Sequence, residues 1–595
     1  MGGVFATAVA VAAMVITGPR VVLGQETAGP PPSSAGVFPL SDVKKGMTGT
    51  AWTVFEGTTP EPMAVEILGV LRGARGPGRD LILARLHGTK PEYTGVVAGM
   101  SGSPVYLGGK LLGALSYRIG QFSKEPIAGI TPIGQMLEVR DLPSNAGDLR
   151  TAASDAGAEG MRFAAMDTPL MMSGFEPEAI RVWKERMAGT GLDVVSAGGG
   201  LAGGSAEASA GGNDPVVPGS AVSLQLVRGD MEIAATCTVT YVDPKKLLAC
   251  GHPVLQAGSV SLPMTTAEVV ATLPSPLNAF KIVNTGRTIG AFTEDRDAAI
   301  SGELGLKARM IPVAIEVTDA AHTVTRHVEV LDLPALTSSA LLVSVYQTLL
   351  ETNQSSTKTT YHVTGEIKLA GQAAVPVNAW GAPGEQMASQ LAAALAVGDS
   401  FNRLYANSTR IEPIESVKLR IEVVSEDMRV ELEGVRLISS SIVHPGDTVT
   451  LEVTLRPYEQ PARNVRIPVR IPARLEAGNL RLLVSSAGAL DRTLESARPA
   501  GTANVAAASA RLRGLHSADQ LYVSLLLPES QASLSGRTLD SLPLSMANTM
   551  ESQRSTIDVG LHGESLTVVA NTDAGGVLSG QELLTLRVEG GGGLH

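Results

Sequence analysis

Two residues of this chain have the chemistry of a nucleophile and its base. Ser101 stands in the segment GMSGSP at residues 99–104, and His252 stands in GHP at residues 251–253. A nucleophilic serine needs an accessible hydroxyl on a bent backbone, a base within reach, and two N–H groups that hold the oxyanion. Glycines on both sides allow the bend and the close approach of a substrate. A glycine-rich turn with incidental serines, and a histidine that caps a tight turn, are the alternative interpretations.

A longer pattern favours Ser101 over Ser103 as the nucleophile. The stretch GMSGSPVYLGGKLLGALSY resembles the nucleophile segment of chymotrypsin-like serine peptidases, where GxSGGP precedes a strand, a Gly-Lys turn and a second apolar strand. This resemblance implies that the backbone N–H groups of Gly99 and Ser101 form the oxyanion hole.

The serine and histidine segments together resemble the SpoIVB peptidase family of serine peptidases. The serine half, residues 39–140, carries KGMTGTAWTVFEGTTPEPMAVEILGVL and EYTGVVAGMSGSPVYLGGKLLGALSY. The histidine half, residues 216–305, carries GSAVSLQLVRGDMEIAATCTVTYVDPKKLLACGHPV and TGRTIGAFTEDRDAAISGELG. The resemblance implies a serine endopeptidase in which Ser101 attacks the peptide carbonyl and His252 carries the proton. The family usually places the histidine half first, so here the halves must pair through a swapped connection, within one chain or between two.

The acid of a catalytic triad is harder to assign from the sequence. The family's position for it corresponds to His87, which is not an acid. Asp295, in TEDRDAAISG, is the candidate third member. We favour a solvated acidic turn formed by Glu294, Asp295 and Asp297, because acidic side chains are seldom buried unpaired. A serine–histidine dyad without an acid also fits.

The only two cysteines flank a predicted hairpin. Cys237 and Cys250 stand on either side of TVTYVDPKKLLA. If the loop is the pair Asp243-Pro244, residues whose numbers sum to 487 face each other, which predicts a cross-strand disulfide in an oxidising compartment. A four-residue loop would shift this register, and two buried free thiols are the alternative.

The composition narrows the class of function. The formal charge of −11 comes without a basic stripe, so nucleic acid is not an expected partner. The sequence has no HExxH, cysteine cluster or phosphate-binding loop, so we expect neither metal nor cofactor. We expect a protein or peptide substrate, with a catalytically inactive peptidase-like scaffold or binding protein of the cell envelope as the alternative.

The whole chain is predicted to be mainly β, because short Val/Leu/Thr runs are broken by Gly and Pro. We expect a chymotrypsin-like two-barrel unit with rearranged chain order, then an α/β region and β-sandwich-like domains. The apolar start predicts export to the periplasm, envelope or exterior, with an uncleaved anchor as the alternative and no later membrane span. The predicted boundaries are 1–24 signal peptide, 25–38 Pro/Ser-rich linker, 39–140 serine half, 141–215 linker with one helix and a candidate self-cleavage site, 216–305 histidine half, 306–415 α/β region, 416–480 β-sandwich-like domain and 481–595 C-terminal β domain.

Overall fold

The computed structural model is mainly β, with 51% of the described residues in strands and 19% in helices. This confirms the predicted class. None of its described helices has the length and apolarity that a bilayer crossing requires. The predicted signal peptide, and most of the linker with the candidate self-cleavage site, lie outside the described residues. The structure describes residues 29–119, 125–142, 163–166, 168, 170–188, 194–195, 215–275, 279–320, 322–352, 358–384, 387–406, 413–496, 505–527, 529–534, 537–552 and 559–589.

Six strands of the serine half close into a ring. Their order is β1-β2-β3-β6-β5-β4, and β4 pairs with β1 to complete it. The turn between β4 and β5 is Gly108-Gly109, and both glycines have the positive φ that favours glycine there. The elements are β1 Thr48–Thr53, β2 Glu61–Leu71, β3 Leu81–His87, α1 Thr89–Thr94, β4 Pro104–Leu107, β5 Lys110–Ile119, β6 Ile127–Pro132 and α2 Ile133–Arg140.

Four short elements connect the two halves of the chain. The first pairs with β5, and the second and fourth form the edge of the next sheet. The predicted linker helix at 176–189 is confirmed. These elements are β7 Phe163–Ala165, β8 Leu170–Ser173, α3 Pro177–Met187 and β9 Val194–Val195.

The histidine half forms a second closed ring of six strands. The pairings run β10-β13-β14-β15-β12-β11, and β11 pairs with β10. The hairpin of β13 and β14 is much longer than the others, and it reaches across to the serine half. The strands are β10 Ala221–Gly229, β11 Glu232–Val242, β12 Lys246–Ala249, β13 Gly258–Leu273, β14 Phe280–Arg296 and β15 Ala299–Leu304.

The α/β region continues the sheet of the histidine half. Its strands run in the order β19-β18-β20-β16-β17, and β17 pairs with β10. The segment VKLRIEVV, predicted as the first sandwich strand, is β20 and pairs with β16 and β18. The predicted boundary at residue 416 therefore falls inside this sheet. The elements are β16 Met310–Thr318, β17 Thr323–Leu331, α4 Thr337–Thr352, β18 Thr360–Leu369, β19 Val375–Gly381, α5 Ser389–Ala406 and β20 Ile414–Val424.

Most of the remaining strands build one sandwich rather than two successive β domains, while the three strands between residues 530 and 562 form a small separate sheet. The sheets of the sandwich, β24-β23-β21-β31 and β22-β32-β25-β26-β30, share one apolar core that runs from Val430 to Val588. The predicted division near residue 480 therefore cuts through a single core. The elements are β21 Arg429–Leu437, β22 Ile442–Val443, β23 Thr448–Pro457, β24 Arg463–Arg470, β25 Gly478–Ser486, α6 Ala487–Ser496, α7 Val505–Arg513, β26 Gln520–Leu527, β27 Ser530–Leu534, β28 Arg537–Leu542, α8 Leu544–Ser552, β29 Val559–His562, β30 Ser565–Asp573, β31 Val577–Ser579 and β32 Gln581–Val588.

Candidate active site

The two halves meet at the GMSGSP loop, and they do so within one chain. The backbone N–H of Thr238 on β11 donates to the carbonyl of Ser101 at 2.8 Å. The hydroxyl of Thr240 donates to the carbonyl of Gly102 at 2.7 Å. On the other side of the loop, the N–H of Lys281 on β14 donates to the carbonyl of Ala98 at 3.1 Å. The histidine half therefore holds the serine loop directly.

Two glycines allow the bend of this loop. Gly99 and Gly102 both have φ of 94°, in the region that L side chains rarely adopt. A side chain on Gly102 would also overlap the carbonyl oxygen of Thr238. The hydroxyl of Ser103 donates to the carbonyl of Met100 at 2.6 Å, so Ser103 closes the turn from within. This leaves Ser101 as the serine at the tip.

Two backbone donors of the loop differ from their neighbours, which are paired. Among the described residues, the N–H groups of Gly99 and Ser101 have no acceptor, although both residues are buried. Buried backbone N–H groups are very rarely left unpaired in folded proteins. An oxyanion hole needs two such donors close together. The paired donors are Ala98 to Ala279 at 2.8 Å, Met100 to Val97 at 3.0 Å, Gly102 to Leu115 at 2.7 Å and Ser103 to Met100 at 2.9 Å.

The hydroxyl of Ser101 is buried and weakly held. Ser101 has no exposed surface, and its Oγ donates to Sγ of Cys237 at 3.7 Å. A sulfur atom is a weak acceptor, so this contact costs little to break. A substrate can reach the hydroxyl only if the elements around the loop move.

The predicted disulfide between Cys237 and Cys250 is confirmed, but the register argument behind it is wrong. The N–H of Asp243 donates to the carbonyl of Lys246, so Pro244-Lys245 forms the turn instead of Asp243-Pro244. The strands then pair with a register shift between Val239 and Tyr241, which is a β-bulge. The displaced turn changes which residues of the two strands pair. The bulge reverses part of this change and so brings the two cysteines together.

His252 is buried, and one of its ring nitrogens is unpaired. Nδ1 lies 2.7 Å from the carbonyl oxygen of Pro253, which can only accept, so Nδ1 carries the proton. Nε2 has no hydrogen-bond partner among the described residues. Burial lowers the pKa of His252 to about 4, and the charge of Arg75 acts in the same direction. The imidazole is therefore neutral at pH 7 with a free lone pair on Nε2, which is the form of a general base.

The GHP segment is fixed to both halves. The hydroxyl of Thr131 on β6 donates to the carbonyl of Gly251 at 2.7 Å. Cys250, two residues before His252, is bonded to the cysteine that contacts the Ser101 hydroxyl. The segment that carries the histidine therefore contacts the serine half, and the disulfide ties it to the strand that contacts the serine loop.

Asp295 holds the loop after His252 and does not contact the imidazole. Its carboxylate accepts the N–H groups of Val254 at 2.9 Å and Leu255 at 2.6 Å. Burial raises its pKa to about 6, and backbone hydrogen bonds from residues 254–257 oppose that shift. The Nδ1 position that a triad acid would occupy belongs to the carbonyl of Pro253.

The predicted solvated acidic turn is wrong for two of its three members. Glu294 and Asp295 are 3% and 2% exposed. Glu294 pairs with Arg296, while Asp297 is about half exposed and pairs with Arg75. The physical reason is that Arg296 and the hydroxyl of Ser259 satisfy Glu294, while backbone N–H groups after His252 satisfy Asp295. The Ser259 hydroxyl and these N–H groups come from another segment, which a local stretch of sequence does not show.

Two basic residues at this junction were not predicted from the sequence. Arg75 lies over the ring of Tyr117 at 4.7 Å and pairs with Asp297, and its Nη1 is buried with no partner among the described residues. Lys281 is fully buried on β14. Arg75 carries no sequence signal, since it sits in the glycine-rich turn GARGPGR. Lys281 interrupts the apolar pattern of AFKIV, and this could have marked it. His87, the family's acid position, instead contacts Glu66 near the surface at 3.2 Å.

Among the described residues, no three His, Cys, Asp or Glu side chains come together as metal ligands. Comparison with family models, with curated proteins and with solved structures finds no match for this chain.

Proposed function

We propose that this chain is an exported serine endopeptidase with a chymotrypsin-like pair of barrels in swapped order, a distant member of the SpoIVB type. The observation that carries the proposal is a pair of buried N–H groups, at Gly99 and Ser101 beside a serine hydroxyl, that have no acceptor among the described residues. Two closed six-stranded rings that meet at this loop support it. The proposed base is His252, whose Nε2 has no hydrogen-bond partner in the described part of the chain and whose segment the disulfide ties to the strand that contacts the Ser101 hydroxyl.

The proposed reaction follows the chemistry of these groups. Nε2 of His252 takes the hydroxyl proton while Oγ of Ser101 attacks the peptide carbonyl. The N–H groups of Gly99 and Ser101 stabilise the tetrahedral oxyanion. His252 then gives the proton to the leaving amine, and a water molecule, activated by the same nitrogen, hydrolyses the acyl-enzyme.

The proposed catalytic unit is a dyad in a closed state. The carbonyl of Pro253 orients the imidazole through Nδ1 and so takes the orienting part of a triad acid. It carries no negative charge, so it stabilises the imidazolium less than an acid would, and we expect modest rates. The Ser101 hydroxyl must turn from Cys237 towards His252, and the covering elements must open for a substrate.

A non-catalytic scaffold is the second candidate, and the burial of the site favours it. Ser101 has no exposed surface and His252 is 1% exposed. A scaffold would have no need of unpaired N–H groups in the same loop, because each such group lowers stability.

A fluorophosphonate probe separates these two functions, because it labels only activated serines. We expect labelling of the full chain to disappear in Ser101→Ala and His252→Ala, and to persist in Ser103→Ala. Ser103 is the other serine of the loop and is equally buried. Because its hydroxyl holds the turn, we expect Ser103→Ala to slow the labelling but not to abolish it. Correctly folded protein that takes no label, or label that survives Ser101→Ala, would contradict the proposed function.

A further inference from the structure

Lys281 carries a buried amine that has no acid partner among the described residues. Its side chain has no exposed surface, and its Nζ donates to the hydroxyl of Thr53 on β1 at 2.7 Å. An ammonium group taken out of water and left without a carboxylate lowers stability strongly. The proposed reaction does not use this amine, so the loss of stability that its burial causes requires another explanation.

The contacts of Lys281 converge on the peptide unit that carries the Gly99 N–H. The backbone N–H of Lys281 donates to the carbonyl of Ala98, which belongs to that unit. In a trans peptide the carbonyl and the N–H point in opposite directions, so this bond turns the Gly99 N–H away from Lys281. The side chain lies along Gly99, with Cδ 3.2 Å from the place a Cβ would take.

A chain of hydroxyls continues from the amine to the next peptide unit. The hydroxyl of Thr53 accepts from Lys281 and lies 3.5 Å from the hydroxyl of Thr238. The hydroxyl of Thr238 donates to the carbonyl of Gly99 at 2.9 Å. Each hydroxyl can accept once and donate once along this path. The path joins β14, β1 and β11 behind one loop.

From this convergence we propose that Lys281 is a positioning residue for the oxyanion hole. Its backbone fixes the peptide unit before Gly99, and its amine, through Thr53 and Thr238, fixes the unit after it. The inference rests on the proposed function for its catalytic consequence, while the positioning itself is a structural claim that can be tested separately.

The charge of the amine sets the pH range of this effect. Burial lowers the pKa of Lys281 to about 7. Among the described residues, the hydrogen-bond partner of Nζ is the Thr53 hydroxyl, and no charged group contributes to the shift of the Lys281 pKa. The ammonium form is the stronger donor to Thr53. Labelling of Ser101 should therefore fall as the pH rises through about 7.

The test measures fluorophosphonate labelling of the full chain against pH in Lys281→Met, Thr53→Val and the double variant. Met keeps the length of the Lys281 stem, and Val keeps the shape of Thr53.

We expect each single variant to label about ten-fold more slowly at pH 6. The double variant should be no slower than the worse single one, because both changes break one path. The fall in the labelling rate near pH 7 should be absent in Lys281→Met. Lys307→Met, at an exposed lysine, is the control.

Hydrogen exchange across residues 96–107, followed by mass spectrometry, tests the positioning independently of activity. We expect faster exchange in Lys281→Met without a lower melting temperature. Wild-type protein that takes no label would refute the proposed function, and the exchange result would still decide the positioning. Unchanged exchange and an unchanged pH profile would overturn the inference. A loss of labelling that follows a lowered melting temperature, or that adds up in the double variant, would also overturn it.

Discussion

The chemistry at the residue scale depends on two groups that are buried but not fully bonded. The Ser101 hydroxyl contacts a sulfur, and Nε2 of His252 contacts no polar group among the described residues. Unpaired polar atoms inside a protein lower its stability, so their presence at one junction indicates a use other than stability.

The pH dependence of labelling should report the buried histidine. An ordinary histidine loses its proton near pH 6.5, but burial lowers the pKa of His252 to about 4. Since the base must be neutral, we expect labelling of Ser101 to rise with pH through about 4 and to be complete by about pH 5.5. Rates measured between pH 3.5 and 6.5, on protein shown to stay folded, give this profile. A midpoint near 6.5 would mean that the reactive imidazole is exposed to water.

The stability of Lys281→Met relative to wild type should depend on pH. The pKa of Lys281 is about 7 in the folded protein, which is below its value in the unfolded chain. Below pH 7 the amine is charged in both states, so its burial lowers the free energy of unfolding by the full amount. Between pH 7 and about 10.5 the unfolded chain binds more protons, so wild-type stability rises with pH. The advantage of Lys281→Met should therefore shrink by about 1.4 kcal/mol per pH unit in this window. Denaturant unfolding of both proteins at several pH values measures it, and a constant difference would contradict the buried amine.

The serine and histidine motifs could be identified at the residue scale because their local sequences are distinctive. Lys281 and Arg75 could not be placed, because their partners are far away in the sequence. Thr53 is 228 residues from Lys281, and Asp297 is 222 residues from Arg75. Only the folded arrangement of the two rings brings these groups together.

At the scale of elements, the hairpin of β11 and β12 links the serine loop to the histidine. Its disulfide joins Cys237, which contacts the Ser101 hydroxyl, to Cys250, which immediately precedes the GHP segment. The sequence predicts this bond from an assumed two-residue loop. The structure reaches it through a displaced turn and a bulge, and single-sequence pairing rules do not predict bulges.

Removing this disulfide should affect both stability and the site. We expect the Cys237→Ala/Cys250→Ala variant to lose about 3 kcal/mol of unfolding free energy, since the bond closes a short loop. We also expect slower labelling of Ser101, because the bond that ties the segment of His252 to β11 is lost. Denaturant unfolding and labelling of the same preparation measure both effects. A variant that is destabilised but labels at the wild-type rate would show that the disulfide serves the fold alone.

At the scale of the whole molecule, the described residues form three large apolar cores rather than a row of small domains. One core runs from Leu170 through the histidine half and the α/β region, and it includes Leu512 of α7. Another fills the sandwich from Val430 to Val588, and the third lies mainly in the serine half and begins at Ala51. The predicted boundaries missed this because β20 looks like a sandwich strand in sequence, and its pairing with β16 is decided by distant strands.

The core that includes the histidine half and the core of the sandwich should unfold separately. Leu342→Ala removes a fully buried side chain from the first core, and Leu451→Ala removes one from the second. Each should lower the stability of its own core by about 2–5 kcal/mol. Calorimetry of the full chain should show each variant shifting a different transition. A single transition that both variants shift together would mean that the cores unfold as one cooperative unit.

The position of the fluorophosphonate adduct shows which residue is the nucleophile. Full-length protein is labelled, digested and mapped by tandem mass spectrometry, with His252→Ala as the parallel sample. We expect an adduct on Ser101, none on Ser103 or Thr53, and none in His252→Ala. An adduct on another residue, or an equal yield without His252, would contradict a serine nucleophile activated at the junction of the two rings.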